Sequence, residues 1–71
     1  MTNYLVVIEA GDTSFGAYVP DLPGCVAVAD SREEVTRLIR EAIEHHVADL
    51  RASNRPVPRP CSVGTKIDIR P

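Results

Sequence analysis

The sequence predicts an α+β domain in βββαβ order, with a four-stranded sheet and one helix on one face. Two patterns support this class. Short apolar runs separated by turn residues occupy the first 29 positions, and a longer stretch then repeats its apolar residues every three or four positions. A last alternating segment adds the fourth strand. The 71 residues, 44% of them hydrophobic, suit a single domain over residues 1–71.

Three strands are expected before the helix. Residues 4–8 are all apolar and mostly β-branched, which predicts a central strand covered on both faces. Residues 15–19 form the second strand, joined to the first by a turn over residues 10–13. Residues 20–24 contain two prolines and a glycine, which restrict the backbone to a stiff connection. Residues 25–29, which are small and apolar, form the third strand.

The helix has a clear beginning and end in the sequence. Ser31 followed by Glu34 is a capping box, so a helix is expected to start there. An apolar stripe then runs over about five turns. The prolines within residues 54–60 exclude a helix and predict an extended linker. The stripe consists of Val35, Leu38, Ile39, Ala42, Ile43, Val47 and Leu50.

The end of the sequence predicts the fourth strand. Val63, Thr65, Ile67 and Ile69 alternate with glycine and charged residues, which is the period of a half-buried strand. A right-handed crossover would place this strand parallel to the first, giving the spatial order 3-2-1-4. One sheet face and two edges would then lack cover from this chain. Such surfaces commonly pair with another polypeptide.

Charge and size limit the function. The formal net charge is -2 and the isoelectric point is near 5.5, which disfavours direct nucleic-acid binding and suits a basic protein partner. No apolar run reaches the roughly 18 to 20 residues that span a bilayer, and no signal peptide is visible, so a cytoplasmic location without membrane contact is expected. The small size favours a homodimer or a higher homo-oligomer.

No residue pattern predicts catalysis, a metal site or a cofactor. His45 and His46 are adjacent on the helix and point about 100° apart, so they do not form one metal site readily. His46 falls within the apolar stripe and is expected at the core edge or at a subunit contact, whereas His45 lies beside the charged side. Cys25 is expected to be buried and Cys61 exposed, with a disulfide between them disfavoured. A non-enzymatic protein is therefore predicted.

Several segments carry a resemblance to a known family. Residues 20–25, with the sequence PDLPGC, follow a strand ending in GAYV and precede residues 30–34, DSREE. The helix contains REAI at residues 40–43, and PVPRP follows it at residues 56–60. In this order the segments resemble the HicB-like antitoxin domain of bacterial toxin-antitoxin pairs, over nearly the whole chain.

The resemblance implies a partial ribonuclease-H-like fold that binds and occludes a HicA-like toxin, a small basic ribonuclease. Many members continue into a C-terminal DNA-binding domain; no such domain is expected within residues 1–71. One alternative is an orphan protein-interaction module of the same fold without a cognate toxin. Another is a degenerate ribonuclease-H-like nuclease, which is disfavoured because residues 5–8 are apolar where a catalytic acid is needed.

The partner-binding site is predicted around the second strand and the stiff loop that follows it. The loop is interpreted either as a ridge for the partner, with Leu22 and Tyr18 as anchors, or as a turn that only sets the angle between two strands. The predicted partner-binding residues are Phe15, Tyr18, Pro20, Asp21, Leu22 and Pro23.

Overall fold

The computed structural model describes residues 3–71. It contains three strands, β1 (Val7–Ala10), β2 (Phe15–Tyr18) and β3 (Val26–Ala29), followed by one helix, α1 (Arg32–Ala52). The strands form an antiparallel sheet in the order β1-β2-β3. The α+β class, the order of these four elements and the single helix packed on one sheet face confirm the predictions made from the sequence.

The strand register separates two faces of the sheet. Ala17 on β2 lies opposite Ile8 on one side and Ala27 on the other. Side chains at paired positions share a face of the sheet. Because Ala17 belongs to the core together with Val35 and Ile39 of α1, this row lies on the face that packs against the helix. On the opposite face Tyr18 pairs with both Val7 and Val26. No element of residues 3–71 covers that second face.

Local hydrogen bonds define both ends of α1. The Ser31 hydroxyl accepts a hydrogen bond from the Glu34 amide at 3.1 Å, as the capping box predicts. At the other end Asn54 adopts a positive φ of 55°. The Asn54 amide donates to the Arg51 carbonyl, and the Arg55 amide donates to the Leu50 carbonyl at 2.9 Å. This pair of bonds is a Schellman motif, which stops the helix just before the prolines.

The core is small and lies between α1, β2, β3 and the loop after β2. The predicted helical stripe faces it: Val35 and Ile39 are buried, and the other stripe residues are at least half-buried. The helix packs mainly against β3 and β2. The buried apolar residues are Ala17, Val19, Leu22, Cys25, Ala29, Val35 and Ile39.

The prediction that residues 4–8 form the central strand is wrong. β2 is central, and β1 lies at an edge and starts only at Val7. The reason is that Val7 pairs with Tyr18, the last residue of β2, and at Val19 the chain turns into the loop. Residues 4–6 therefore extend past the end of their partner strand. The Tyr4 hydroxyl donates a hydrogen bond to the Pro58 carbonyl instead.

The predicted fourth strand is not formed, so the spatial order 3-2-1-4 is corrected to β1-β2-β3. Residues 55–71 contain no helix or strand. Within residues 3–71, no backbone hydrogen bond joins the segment 63–69 to β1. An alternating pattern becomes a strand only when a neighbouring backbone accepts its hydrogen bonds. The partial ribonuclease-H-like fold therefore stays a prediction.

Candidate functional site

The loop after β2 is closed by its own backbone. The Val19 amide donates to the Cys25 carbonyl at 3.2 Å, and the Cys25 amide donates to the Leu22 carbonyl at 3.1 Å. Gly24 has a φ of 85°, a conformation that residues with a side chain rarely adopt. Residues 19–25 therefore form a rigid platform at the end of the sheet, which agrees with the stiff connection expected from the two prolines.

Asp21 in this loop binds the C-terminal segment, residues 55–71. Its carboxylate accepts hydrogen bonds from the Cys61 and Ser62 amides, both at 2.9 Å. It also accepts from the Ser62 hydroxyl at 2.8 Å and from the Cys61 thiol at 3.2 Å. We call this arrangement the Asp21 clamp. It joins positions 40 residues apart in the sequence, and no local pattern around either position could have predicted it.

The clamp changes the acidity of both partners. Hydrogen bonds from the Ser62 and Cys61 amides, and then from their side chains, hold the pKa of Asp21 far below its ordinary 3.8. The hydrogen bond and the negative charge from Asp21 raise the pKa of Cys61. The Asp21 carboxylate is thus kept ionised and the Cys61 thiol is kept protonated, which is the pairing that their hydrogen bond requires.

The structure separates the six predicted partner-binding residues into three groups. Pro20, Pro23 and Tyr18 are exposed, and Tyr18 points to the uncovered face of the sheet. Leu22 has 0% of its surface exposed and belongs to the core. Its interpretation as an anchor on the surface is therefore wrong, and the reading of the loop as a stiff turn fits this side chain. The remaining two, Phe15 and Asp21, are half-buried.

Tyr18 belongs to an apolar patch on the uncovered sheet face. Val26 lies directly opposite Tyr18, and Val28 lies two residues further along β3. Val26 is 63% exposed and Val28 is 68% exposed. Together with Val7 they form what we call the outer-face patch: Val7, Tyr18, Val26 and Val28. Sequence reasoning missed the two β3 valines, although their alternation with Cys25, Ala27 and Ala29 was a usable signal.

Side chains with metal-binding or nucleophilic chemistry do not gather into a site. Among residues 3–71, no group of three or more His, Cys, Asp or Glu side chains is placed to hold a metal ion. His45 is exposed and His46 is half-buried, in the positions expected from helical phase. Both cysteines are free; Cys25 is buried, where burial raises its pKa, and Cys61 is exposed. The described part of the chain has no helix fit to cross a membrane.

Comparison with known proteins identifies a family. The family model described as the HicB-like antitoxin of a bacterial toxin-antitoxin system matches residues 4–70. A UPF0150 protein from Helicobacter pylori (strain J99 / ATCC 700824) is 48% identical over 46 residues, which cover 65% of this chain and 64% of the relative. The alignment thus spans a little under two thirds of that relative. None of the solved structures matches this chain.

Proposed function

We propose that this chain, which belongs to the HicB-like antitoxin family, binds a HicA-like ribonuclease toxin in a stoichiometric complex. In that complex it occludes the catalytic surface of the toxin. The observation that carries the proposal is the outer-face patch beside the rigid loop. Its exposed apolar side chains lie on a sheet, where they are fixed in position before a partner arrives. A surface arranged in advance loses little conformational entropy on binding.

Composition supports a partner that is itself basic. The chain carries 10 acidic and 8 basic side chains, and opposite net charges speed association and help to set the register of a complex. The antitoxin would act by shape and charge, and the mechanism requires no catalytic group from this chain. RNA would be excluded because the toxin surface that binds it is covered. The expected location of such a pair is the cytoplasm.

The proposed contact consists of the outer-face patch with the exposed prolines of the loop. Tyr18 is the expected centre, because an exposed tyrosine offers a large contact area and a hydroxyl group on one side chain. Pro20 and Pro23 are exposed in the loop that follows β2, and proline side chains lose little freedom when they are covered. Asp21 and Leu22 contribute indirectly, since they hold the loop in place. Phe15 supports β2 from the core side.

Coexpression tests the antitoxin role. The gene for this chain is expressed together with a neighbouring reading frame that encodes a small basic protein. Toxicity of that protein alone, suppressed when this chain is present, with a stable complex after purification, is the expected result. A folded chain that neither binds the basic protein nor restores growth would contradict the proposal and favour an orphan interaction module.

A pair of variants tests the surface. Tyr18→Asp places a charge within the outer-face patch and is expected to weaken the complex by about 30-fold or more, since a buried aromatic anchor commonly contributes over 2 kcal/mol. His45→Asp, an exposed position on the helix side of the molecule, is the matched control and should bind normally. Equal loss in both variants, or in neither, would remove the outer-face patch from the contact.

A further inference from the structure

A glycine interrupts the side chains on the outer face of the sheet. Gly16 of β2 pairs with Glu9 of β1 on one side and with Val28 of β3 on the other. Paired side chains share a face, and Val28 is exposed on the outer face, so Glu9 belongs to that face as well. A Cβ placed on Gly16 would meet no heavy atom of a non-adjacent residue within 4 Å. The row is therefore open at its centre, and we call this opening the Gly16 gap.

The Gly16 gap is wide enough for one extended side chain. Glu9 and Val28 lie two strands apart, which is roughly 10 Å at the usual spacing of a sheet. Tyr18 lies two residues from Gly16 along β2, on the same face, and is 41% exposed, so it borders the gap at one end. The gap thus combines an aliphatic wall, an aromatic side chain and a carboxylate.

The carboxylate of Glu9 has no cationic neighbour within the sheet. The sequence contains no lysine, arginine or histidine before residue 32. Within residues 3–71 the one ion pair joins Arg37 to Glu41 on the helix. Lys66 of the C-terminal segment lines a cleft with Ile8, whose side chain lies on the core face of the sheet. The Glu9 carboxylate is therefore available to a positive group of another molecule.

We propose that the Gly16 gap receives an arginine side chain of a basic protein partner. This inference rests on the proposed function, under which that partner is the toxin, and specifies one contact of the complex. The aliphatic part of the arginine lies across Gly16 against Val28, and its guanidinium group forms a salt bridge with Glu9. Arginine suits the gap better than lysine, because its planar group pairs with a carboxylate through two hydrogen bonds and stacks on an aromatic ring.

The register brings the carboxylate and the aromatic ring within reach of the same group. Glu9 and Tyr18 are diagonal neighbours on adjacent strands, a relation that separates two residues by about 7–8 Å. One guanidinium group between them contacts both side chains. The gap consequently distinguishes a basic partner by charge and by shape, whereas the outer-face patch alone distinguishes it only by its apolar surface.

An NMR titration without any toxin tests the site itself. The ¹⁵N-labelled chain is titrated with acetyl-arginine amide and, in parallel, with acetyl-citrulline amide, which has nearly the same shape and no charge. The arginine compound should bind about 2- to 5-fold more tightly, as expected for an exposed ion pair, with shift changes centred on the Gly16 amide. Glu9→Gln should abolish the difference. Equal affinities for the wild type, or shift changes centred on the acidic residues of α1, would overturn the proposal.

Affinities of the complex purified after coexpression test whether the toxin uses the gap. Gly16→Val fills the gap, and the fold should persist in circular dichroism, because Gly16 has no positive φ and strands accommodate valine. This variant and Glu9→Gln should each weaken the complex by about 10-fold. Glu33→Gln is the matched control, since it removes an exposed carboxylate from α1 on the other side of the sheet. It should bind within about twofold of the wild type.

The outcomes separate the site from the antitoxin role. Wild-type affinity in both Gly16→Val and Glu9→Gln would overturn the arginine site and leave the antitoxin role intact. Equal losses in Glu9→Gln and Glu33→Gln would also overturn it, because only the overall charge would then matter. Should Gly16→Val fail to fold, Glu9→Gln still decides. A chain that prefers the arginine compound yet binds no basic protein would contradict the proposed function alone.

Discussion

The body of the molecule, formed by the sheet and α1, and the C-terminal segment both contain alternating apolar residues. Those of the body are largely buried, whereas those of the segment are exposed. In β2 and β3 every second side chain faces α1, and Ala17 and Ala29 are buried there. In residues 63–69 every second side chain is again mostly apolar, yet all of these residues are exposed. Alternation therefore predicts which side chains share a face. It does not determine whether a neighbouring backbone is present to complete the strand.

Burial makes the body the region most sensitive to substitution. Leu22→Ala should lower the free energy of unfolding by about 2–5 kcal/mol, because the side chain is fully buried and no neighbour can fill the cavity completely. Small domains are only marginally stable, so this variant is expected to be largely unfolded at physiological temperature. Urea unfolding followed by circular dichroism measures the change.

Val28→Ala is the matched control for this prediction. It also removes methyl groups from an aliphatic side chain, but Val28 is exposed on the outer face, so the change should stay within about 0.5 kcal/mol. A Leu22→Ala variant as stable as Val28→Ala would mean that the loop does not pack into the core. The surface-ridge interpretation of Leu22 would then return.

The next largest effect is expected at the start of α1. Ser31→Ala removes the hydroxyl that accepts from the Glu34 amide and should cost about 1 kcal/mol of unfolding free energy. Ser53→Ala at the other end of the helix is the control, because there the backbone amide, donating to the Asp49 carbonyl, makes the capping bond. Equal costs at both ends in urea titrations would argue against side-chain capping.

The sequence predicts local features of this fold better than long-range ones. The capping box, the helical stripe and the stiff loop depend on residues within a few positions of one another, and the structure confirms each of them. The position of β1 depends on where β2 ends, and the Asp21 clamp depends on two segments 40 residues apart. For the candidate site, Tyr18 could be placed from strand period. The burial of Leu22 could not, because it follows from how the loop folds onto the core.

Acid should weaken the Asp21 clamp, which joins the body of the molecule to the C-terminal segment. The pKa of Asp21 is lowered in the folded chain, so its contribution to stability is complete above the ordinary value of 3.8 and is lost as the pH falls through the lowered value. The free energy of unfolding of the wild type should therefore decrease more steeply below pH 3.8 than that of Asp21→Asn. Urea titrations over a pH series measure both slopes, with Asp12→Asn as a control acid in an exposed turn. Parallel slopes for the wild type and Asp21→Asn would show that the clamp does not form in solution.

The smallest expected effect is on the reactivity of Cys61. Its thiol donates to the Asp21 carboxylate, and the raised pKa keeps the reactive thiolate scarce at neutral pH. Asp21→Asn removes the negative charge, so the pKa should fall back and alkylation by iodoacetamide should accelerate severalfold. Peptide mass spectrometry measures the rate at each cysteine separately. Cys25 is the internal control, because it is buried and should stay unmodified in both proteins while they remain folded. An unchanged Cys61 rate in a folded Asp21→Asn protein would mean that this thiol is not held by Asp21, and the C-terminal segment would then lack a fixed starting point on the body.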